Sequence, residues 1–130
     1  MALIVIAFAS CGKTGDIVPN VSVNIQIPKT DPRISATNNP GGAVLLNGGV
    51  AGIILYRTAS GGYAAYDRCS AYEPGKKCHV TLDNPSFTVT DPCSGSKWSL
   101  NDGTPVKAPA IKSLRAYAVS TTQFEIFISN

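Results

Sequence analysis

Histidine is almost absent from this chain: His79 is the only one in 130 residues. A nucleophile–base–orienter set would therefore have to use His79 as its base. That residue opens a short apolar stretch beside Cys78 and Lys76-Lys77, where a structural or solvent-facing imidazole is the ordinary case. Charge is scarce too, at 15% of residues, with eleven Lys and Arg against eight Asp and Glu for a net +3. The basic residues are scattered, so no stripe exists that could displace several counterions, and nucleic acid is excluded as a partner. The acidic residues Asp67, Glu73, Asp83, Asp91 and Asp102 all sit in or beside turns. Aspartate favours turns because its side chain bonds nearby backbone N–H groups, and nothing pairs two of these acids across a cleft as glycoside hydrolysis requires. No stretch of ten residues carries a helical stripe. The glycine pairs 41–42, 48–49 and 61–62 lack the following helix that a phosphate-binding loop needs.

Long hydrophobic runs are also missing. The longest, Met1 to Ala9, has nine residues, too few to span a bilayer. It ends in Ala9-Ser10-Cys11 and is followed by the polar Lys13-Thr14-Gly15-Asp16. A short apolar segment closing on small residues resembles a secretory signal, and the small-small-Cys ending resembles a bacterial lipoprotein processing box. That resemblance implies a signal segment over 1–10, lipidation of Cys11, a tether over 11–20, and a domain over 21–130. It also implies a bacterial cell-envelope location, periplasmic or outer-membrane, held to the membrane through the N-terminal lipid. The competing reading makes Leu3 to Phe8 a buried first strand and Cys11 an ordinary thiol. With Cys11 lipidated, Cys69, Cys78 and Cys93 remain in an oxidising compartment. They permit one internal disulfide and leave one thiol over.

What the chain does have is turn residues and short apolar alternations. Twelve Gly and nine Pro divide it into segments that read as strands. Val21, Val23, Ile25 and Ile27 alternate with polar residues, the period of a half-buried strand. Ala43 to Leu46 and Val50 to Tyr56 are apolar and separated at Asn47-Gly48, a strong hairpin-turn signal. Thr30 to Gly42 reads as a long turn-rich connection. Strands are further expected at Tyr63–Tyr66, His79–Leu82, Phe87–Val89, Trp98–Leu100, Pro105–Pro109, Ser113–Val119 and Gln123–Ile128. About nine or ten short antiparallel strands joined by Gly/Pro turns make an all-β sandwich or partly open barrel.

The stretch Asp91-Pro92-Cys93-Ser94-Gly95-Ser96-Lys97-Trp98 is followed by Leu100, Asp102-Gly103, Ala108-Pro109-Ala110, Leu114 and Tyr117-Ala118-Val119. This resembles the second cluster-binding loop and C-terminal strands of the Rieske iron–sulfur domain, with its Cys-Pro-x-His-Gly-Ser-x-aromatic loop, Gly-Pro-Ala segment and Leu-x-x-Tyr strand. The first loop would be Cys69-Ser70-Ala71-Tyr72, and the resemblance runs from about Tyr63 to Val119. It implies a Rieske-like sandwich. The family holds a [2Fe–2S] cluster with two Cys on one iron and two His on the other. Those four positions fall on Cys69, Ala71, Asp91 and Ser94, so three of the four ligands are replaced. No cofactor and no metal are expected.

Respiratory-type members of the family also carry an extra Cys in each loop, joined as a disulfide. The resemblance implies that Cys93 is one partner and Cys78 the other, with Cys69–Cys93 as the rival pairing. The remaining thiol, Cys69, is either a packed remnant of the ligand pair or a redox-active group whose pKa Arg68 lowers. Trp98 is expected to pack under the second loop. Tyr63, Tyr66 and Tyr72 would form an aromatic face near the loop tips, suited to a cell-envelope protein partner. The expected protein is a non-enzymatic, cluster-free exported lipoprotein with a structural or binding role; the alternative is a Rieske-type [2Fe–2S] electron-transfer protein.

Overall fold

The computed structural model describes residues 17–130, so the expected signal segment and Cys11 lie outside the described residues. Ten strands form: β1 (Asn24–Pro28), β2 (Ala43–Leu46), β3 (Ile53–Arg57), β4 (Tyr63–Asp67), β5 (Thr81–Leu82), β6 (Thr88–Thr90), β7 (Lys97–Ser99), β8 (Pro105–Lys107), β9 (Ala116–Thr121) and β10 (Glu125–Ser129). They make a six-stranded antiparallel sheet, β1-β10-β9-β4-β3-β2, and a four-stranded one, β5-β6-β7-β8. The all-β sandwich expected from the turn spacing is the architecture found, with the larger sheet curled. Among the described residues no helix is long and apolar enough to cross a membrane.

β3 organises the interior. Ile53, Ile54, Leu55 and Tyr56 are all at most 1% exposed, so both faces of this strand are covered. Because successive side chains alternate sides, Ile53 and Leu55 enter one core while Ile54 and Tyr56 enter another. The first core, with Val23, Ile27, Ile34, Ala65, Tyr117, Ile126 and Ile128, covers one face of the six-stranded sheet. The second joins Tyr66, Val80, Val89, Trp98, Leu100, Ala110 and Leu114 between the two sheets. Trp98 is fully buried, and its indole N–H donates to the Lys112 carbonyl at 2.8 Å. A buried indole needs such an acceptor, and this one pins the chain that follows β8.

Two local features differ from the sequence expectation. The β2–β3 connection is not a two-residue hairpin at Asn47-Gly48: Leu46 pairs with Ile53, leaving six residues in the loop. The Asp67 carboxylate draws that loop in, accepting from Val50 N at 2.6 Å and Ala51 N at 3.1 Å, and also from Cys69 N and the Tyr117 hydroxyl. A buried carboxylate requires that many donors, and they outweigh local turn preference. Gly49, at φ +63°, lies where any Cβ would strike the Asp67 carboxylate. The 30–42 connection contains a 3-10 helix, Pro32–Asn38, capped by Asp31 and burying Ile34 and Thr37 over the first core. Of the segment 11–20, expected as a tether, Val18 is buried and Asn20 accepts from Arg115 Nη2 and Asn130 Nδ2. Residues 18 to 20 thus lie against the domain.

Trp98→Ala should cost about 3–5 kcal/mol of folding stability, the range for emptying a large buried site. Urea unfolding followed by far-UV circular dichroism checks it.

Candidate functional site

Two loops meet at one end of the four-stranded sheet: residues 68–80 between β4 and β5, and residues 91–96 between β6 and β7. The first loop folds back on itself. Ser70 N donates to the Cys78 carbonyl and Val80 N to the Arg68 carbonyl, each at 2.8 Å, around a bridge between Cys69 and His79. Its tip is a short 3-10 turn, Pro74–Lys76, bracketed by Glu73 and Lys77 at φ +49° and +52°. These are left-handed conformations that non-glycine residues seldom adopt. Lys76 pairs with Glu73 at 2.8 Å across this turn.

The second loop is a tight turn in which Gly95 N donates to the Asp91 carbonyl at 2.7 Å, with Gly95 at φ +82°. Asp91 is 1% exposed, and both of its carboxylate oxygens accept hydrogen bonds. One carboxylate oxygen accepts from Cys93 N at 2.7 Å, and the other from Ser94 Oγ at 2.9 Å and Ser70 Oγ at 2.7 Å. The Ser70 hydroxyl also accepts from Tyr72 N at 3.1 Å. Asp91 therefore ties its own turn together and fastens it to the first loop. A second fastening is covalent: Cys78 and Cys93 form a disulfide with their Cα atoms 6.3 Å apart. The rival pairing of Cys69 with Cys93 is not made.

The four positions singled out from the sequence lie in these loops, and they do different things. Asp91 and Ser94 bond to each other. Ala71 is buried in the inter-sheet core. Cys69 is a free thiol with no exposure, its Sγ against the carbonyls of Ser70 and Pro74 at 3.8 and 3.7 Å. Burial, together with the nearby Asp67 and Asp91 charges, pushes this thiol up to about 11, Lys77 opposing weakly. The redox-active reading of Cys69 is thereby corrected. Arg68 does not activate it, because neighbouring side chains point to opposite sides and the Arg68 Nε donates to the Val80 carbonyl at 3.2 Å.

The expected aromatic face is corrected as well. Tyr63 and Tyr66 are three residues apart on β4, and so on opposite faces. Tyr66 is buried and donates to the Leu100 carbonyl at 3.0 Å, while Tyr63 lies under the Arg57 guanidinium, 4.8 Å from ring centre. Only Tyr72 stays at the loop tips. There it lines a depression of about 250 Å³ with Glu73, Lys76, Cys78, Asp91, Cys93, Ser94 and Pro109. Sequence reasoning did not find the Ser70–Asp91 bond. The two residues are 21 positions apart, and no local pattern marks a serine as the partner of a distant carboxylate.

A two-iron cluster held by two thiolates and two imidazoles does not fit this donor set. His79 is the chain's only imidazole and is exposed; Cys78 and Cys93 are bonded to each other; Cys69 is closed in by backbone carbonyls. Soft iron–sulfur cores prefer sulfur or imidazole, and the other polar side chains at the tips are carboxylates, hydroxyls and ammonium groups.

No family model matches the chain, and no curated protein matches it in sequence. Solved structures do. The plasma membrane Rieske protein of the cyanobacterium Synechocystis PCC 6803 is 19% identical with a TM-score of 0.58, covering 85% of this chain and 100% of its own. A chain of the complex of reduced oxygenase and oxidised ferredoxin in carbazole 1,9a-dioxygenase is 20% identical with a TM-score of 0.53, covering 81% and 93%. The ferredoxin of carbazole 1,9a-dioxygenase from Nocardioides aromaticivorans IC177 is 19% identical with a TM-score of 0.50, covering 78% and 95%. At these identities the likeness is one of fold, and the fold is Rieske-like.

Two outcomes follow for the loops. Because Cys69 ionises near 11 when folded and near its ordinary 9.0 when unfolded, the unfolded chain loses its proton first as pH climbs. Stability should therefore fall between about pH 9 and 11, by at most about 1.4 kcal/mol per pH unit for one proton. Urea midpoints across that range, with Cys69→Ala giving a flatter profile, check this. The disulfide, spanning a sequence separation of 15, should contribute roughly 3 kcal/mol through the unfolded chain. Comparing Cys78→Ser/Cys93→Ser with the oxidised parent measures it.

Proposed function

We propose that this chain is an exported, lipid-anchored protein of the bacterial cell envelope that uses a cluster-free Rieske-like domain in a structural or binding role. The observation that carries the reading is the chemistry of the two loop tips. Where the family resemblance places four cluster ligands, this chain has Cys69, Ala71, Asp91 and Ser94. Two of these, Asp91 and Ser94, bond to one another, and Asp91 bonds across to Ser70. A hydrogen-bonded carboxylate and a disulfide hold the loops in the relation that a bridging cluster would otherwise impose.

Among the described residues no nucleophile–base–orienter set comes together. His79 is exposed, and Asp67, Asp83, Asp91 and Asp102 each accept from nearby backbone or hydroxyl donors. They act as turn and loop fasteners. Export and lipidation rest on Ala9-Ser10-Cys11 and on a disulfide suited to an oxidising compartment. One structural neighbour is described as a plasma membrane protein, which fits a membrane setting. A protein partner in the envelope would meet the loop tips through Tyr72 and the depression beside it.

The purified full-length protein should be colourless. It should contain neither iron nor acid-labile sulfide, and its intact mass should show loss of Met1 to Ser10 with a lipid on Cys11. Two irons and two sulfides per chain, with a rhombic paramagnetic signal after reduction, would establish the electron-transfer alternative instead. An unlipidated chain would remove the anchor.

A further inference from the structure

The disulfide and the buried carboxylate at the loop tips are also neighbours of each other. The sulfurs of Cys78 and Cys93 and a carboxylate oxygen of Asp91 lie within 4.8 Å of one another. All three residues line the same depression. As a disulfide the two sulfurs offer no thiolate, so the oxidised protein has a carboxylate but no ligand set. We infer that reducing the Cys78–Cys93 bond creates a divalent-metal site in which two thiolates and the Asp91 carboxylate hold one zinc-class ion. This rests on the reading that no iron–sulfur cluster occupies the loops.

The chemistry balances. A dithiol supplies two electrons and two protons, the S–S bond becomes two thiols, and the dithiol closes to its own disulfide. Binding of the ion then expels the two thiol protons to solvent, forming two metal–sulfur bonds and one metal–oxygen bond. Cys93 is exposed and faces the depression, so a small reductant can reach it.

The surroundings suit such an ion. Two thiolates on a tetrahedral zinc sit about 3.8 Å apart, from zinc–sulfur bonds of about 2.3 Å. Side-chain rotation from Cα atoms 6.3 Å apart spans that distance. The carboxylate is already oriented by Ser70 Oγ, Ser94 Oγ and Cys93 N. Bonds of this kind are what fix a ligating carboxylate in metal sites, and its oxygens retain lone pairs. Thiolate donors select zinc-like ions over magnesium or calcium. The fourth position opens into the depression of about 250 Å³, the arrangement of a site that can take water or an outside ligand. Lys76 and its partner Glu73 share the rim as an ion pair.

The test is a cobalt(II) titration of the full-length protein under anaerobic conditions, before and after reduction by a phosphine that is then removed. The reduced protein should bind one cobalt, with a thiolate-to-metal charge-transfer band in the near ultraviolet that zinc abolishes, and the oxidised protein none. Asp91→Asn should weaken binding at least tenfold, and Cys69→Ser should leave it unchanged. If Asp91→Asn does not fold, judged by circular dichroism, Cys93→Ser takes its place and should lose the band. The inference is overturned by a reduced parent that shows no band, by equal binding in both redox states, or by full affinity in a folded Asp91→Asn. Failure of the cluster-free reading looks different: iron with sulfide in the protein as purified, before any cobalt is added.

Discussion

The constraint on which the loop end depends is the fastening of residues 68–80 to residues 91–96. Two bonds of different kinds supply it: the Ser70 hydroxyl donating to the Asp91 carboxylate, and the Cys78–Cys93 disulfide. Asp91 is buried, and the Ser70 and Ser94 hydroxyls and the Cys93 amide donate to its carboxyl oxygens. Removing any of these leaves a buried polar group partly unsatisfied, which is why Asp91 and its partners act as a unit. The disulfide then limits how far the two tips can separate. Together these bonds do the mechanical work of holding the two tips in place.

A second carboxylate performs the same service at the other end of the first loop. Asp67 ends β4 and gathers the β2–β3 loop, the start of the first cluster-side loop and the Tyr117 hydroxyl of β9. Burial and the Asp67 charge push the Tyr117 phenol well above its usual range, so it stays a proton donor to that carboxylate. Between Asp67 and Asp91 runs the chain that packs the second core, from Ala71 through Val80 and Val89. The site is therefore a continuation of the core and not an addition to its surface.

This organisation bears on what the domain can do. A Rieske-like scaffold places two loops at one end of the smaller sheet whatever those loops contain. Here they contain a thiol sealed by burial, an alanine, a serine and a hydrogen-bonded carboxylate, so the scaffold's geometry persists with a different set of donors. Open to solvent among these groups is the depression beside Tyr72 and the disulfide. Chemistry or recognition at this end has to begin there.

Most of the fold was legible in the residues. The ten strands follow the alternations bounded by Gly, Pro, Asn and Asp, and the apolar run Val50 to Tyr56 reads as a strand, although only packing shows that both its faces are covered. The loop pairing was legible through the Asp91–Trp98 stretch, and the absence of a second histidine settled by itself that two imidazoles cannot be offered. Folding alone decided the rest, because the deciding partners are far apart in the chain. Asp67 stretched the Asn47-Gly48 turn into a six-residue loop, strand alternation parted Tyr63 from Tyr66, and burial silenced Cys69 although Arg68 stands next to it. The bond from Ser70 to Asp91 belongs to the same class: local sequence states which groups are present, and only the packed chain brings a donor and an acceptor 21 residues apart to within 2.7 Å.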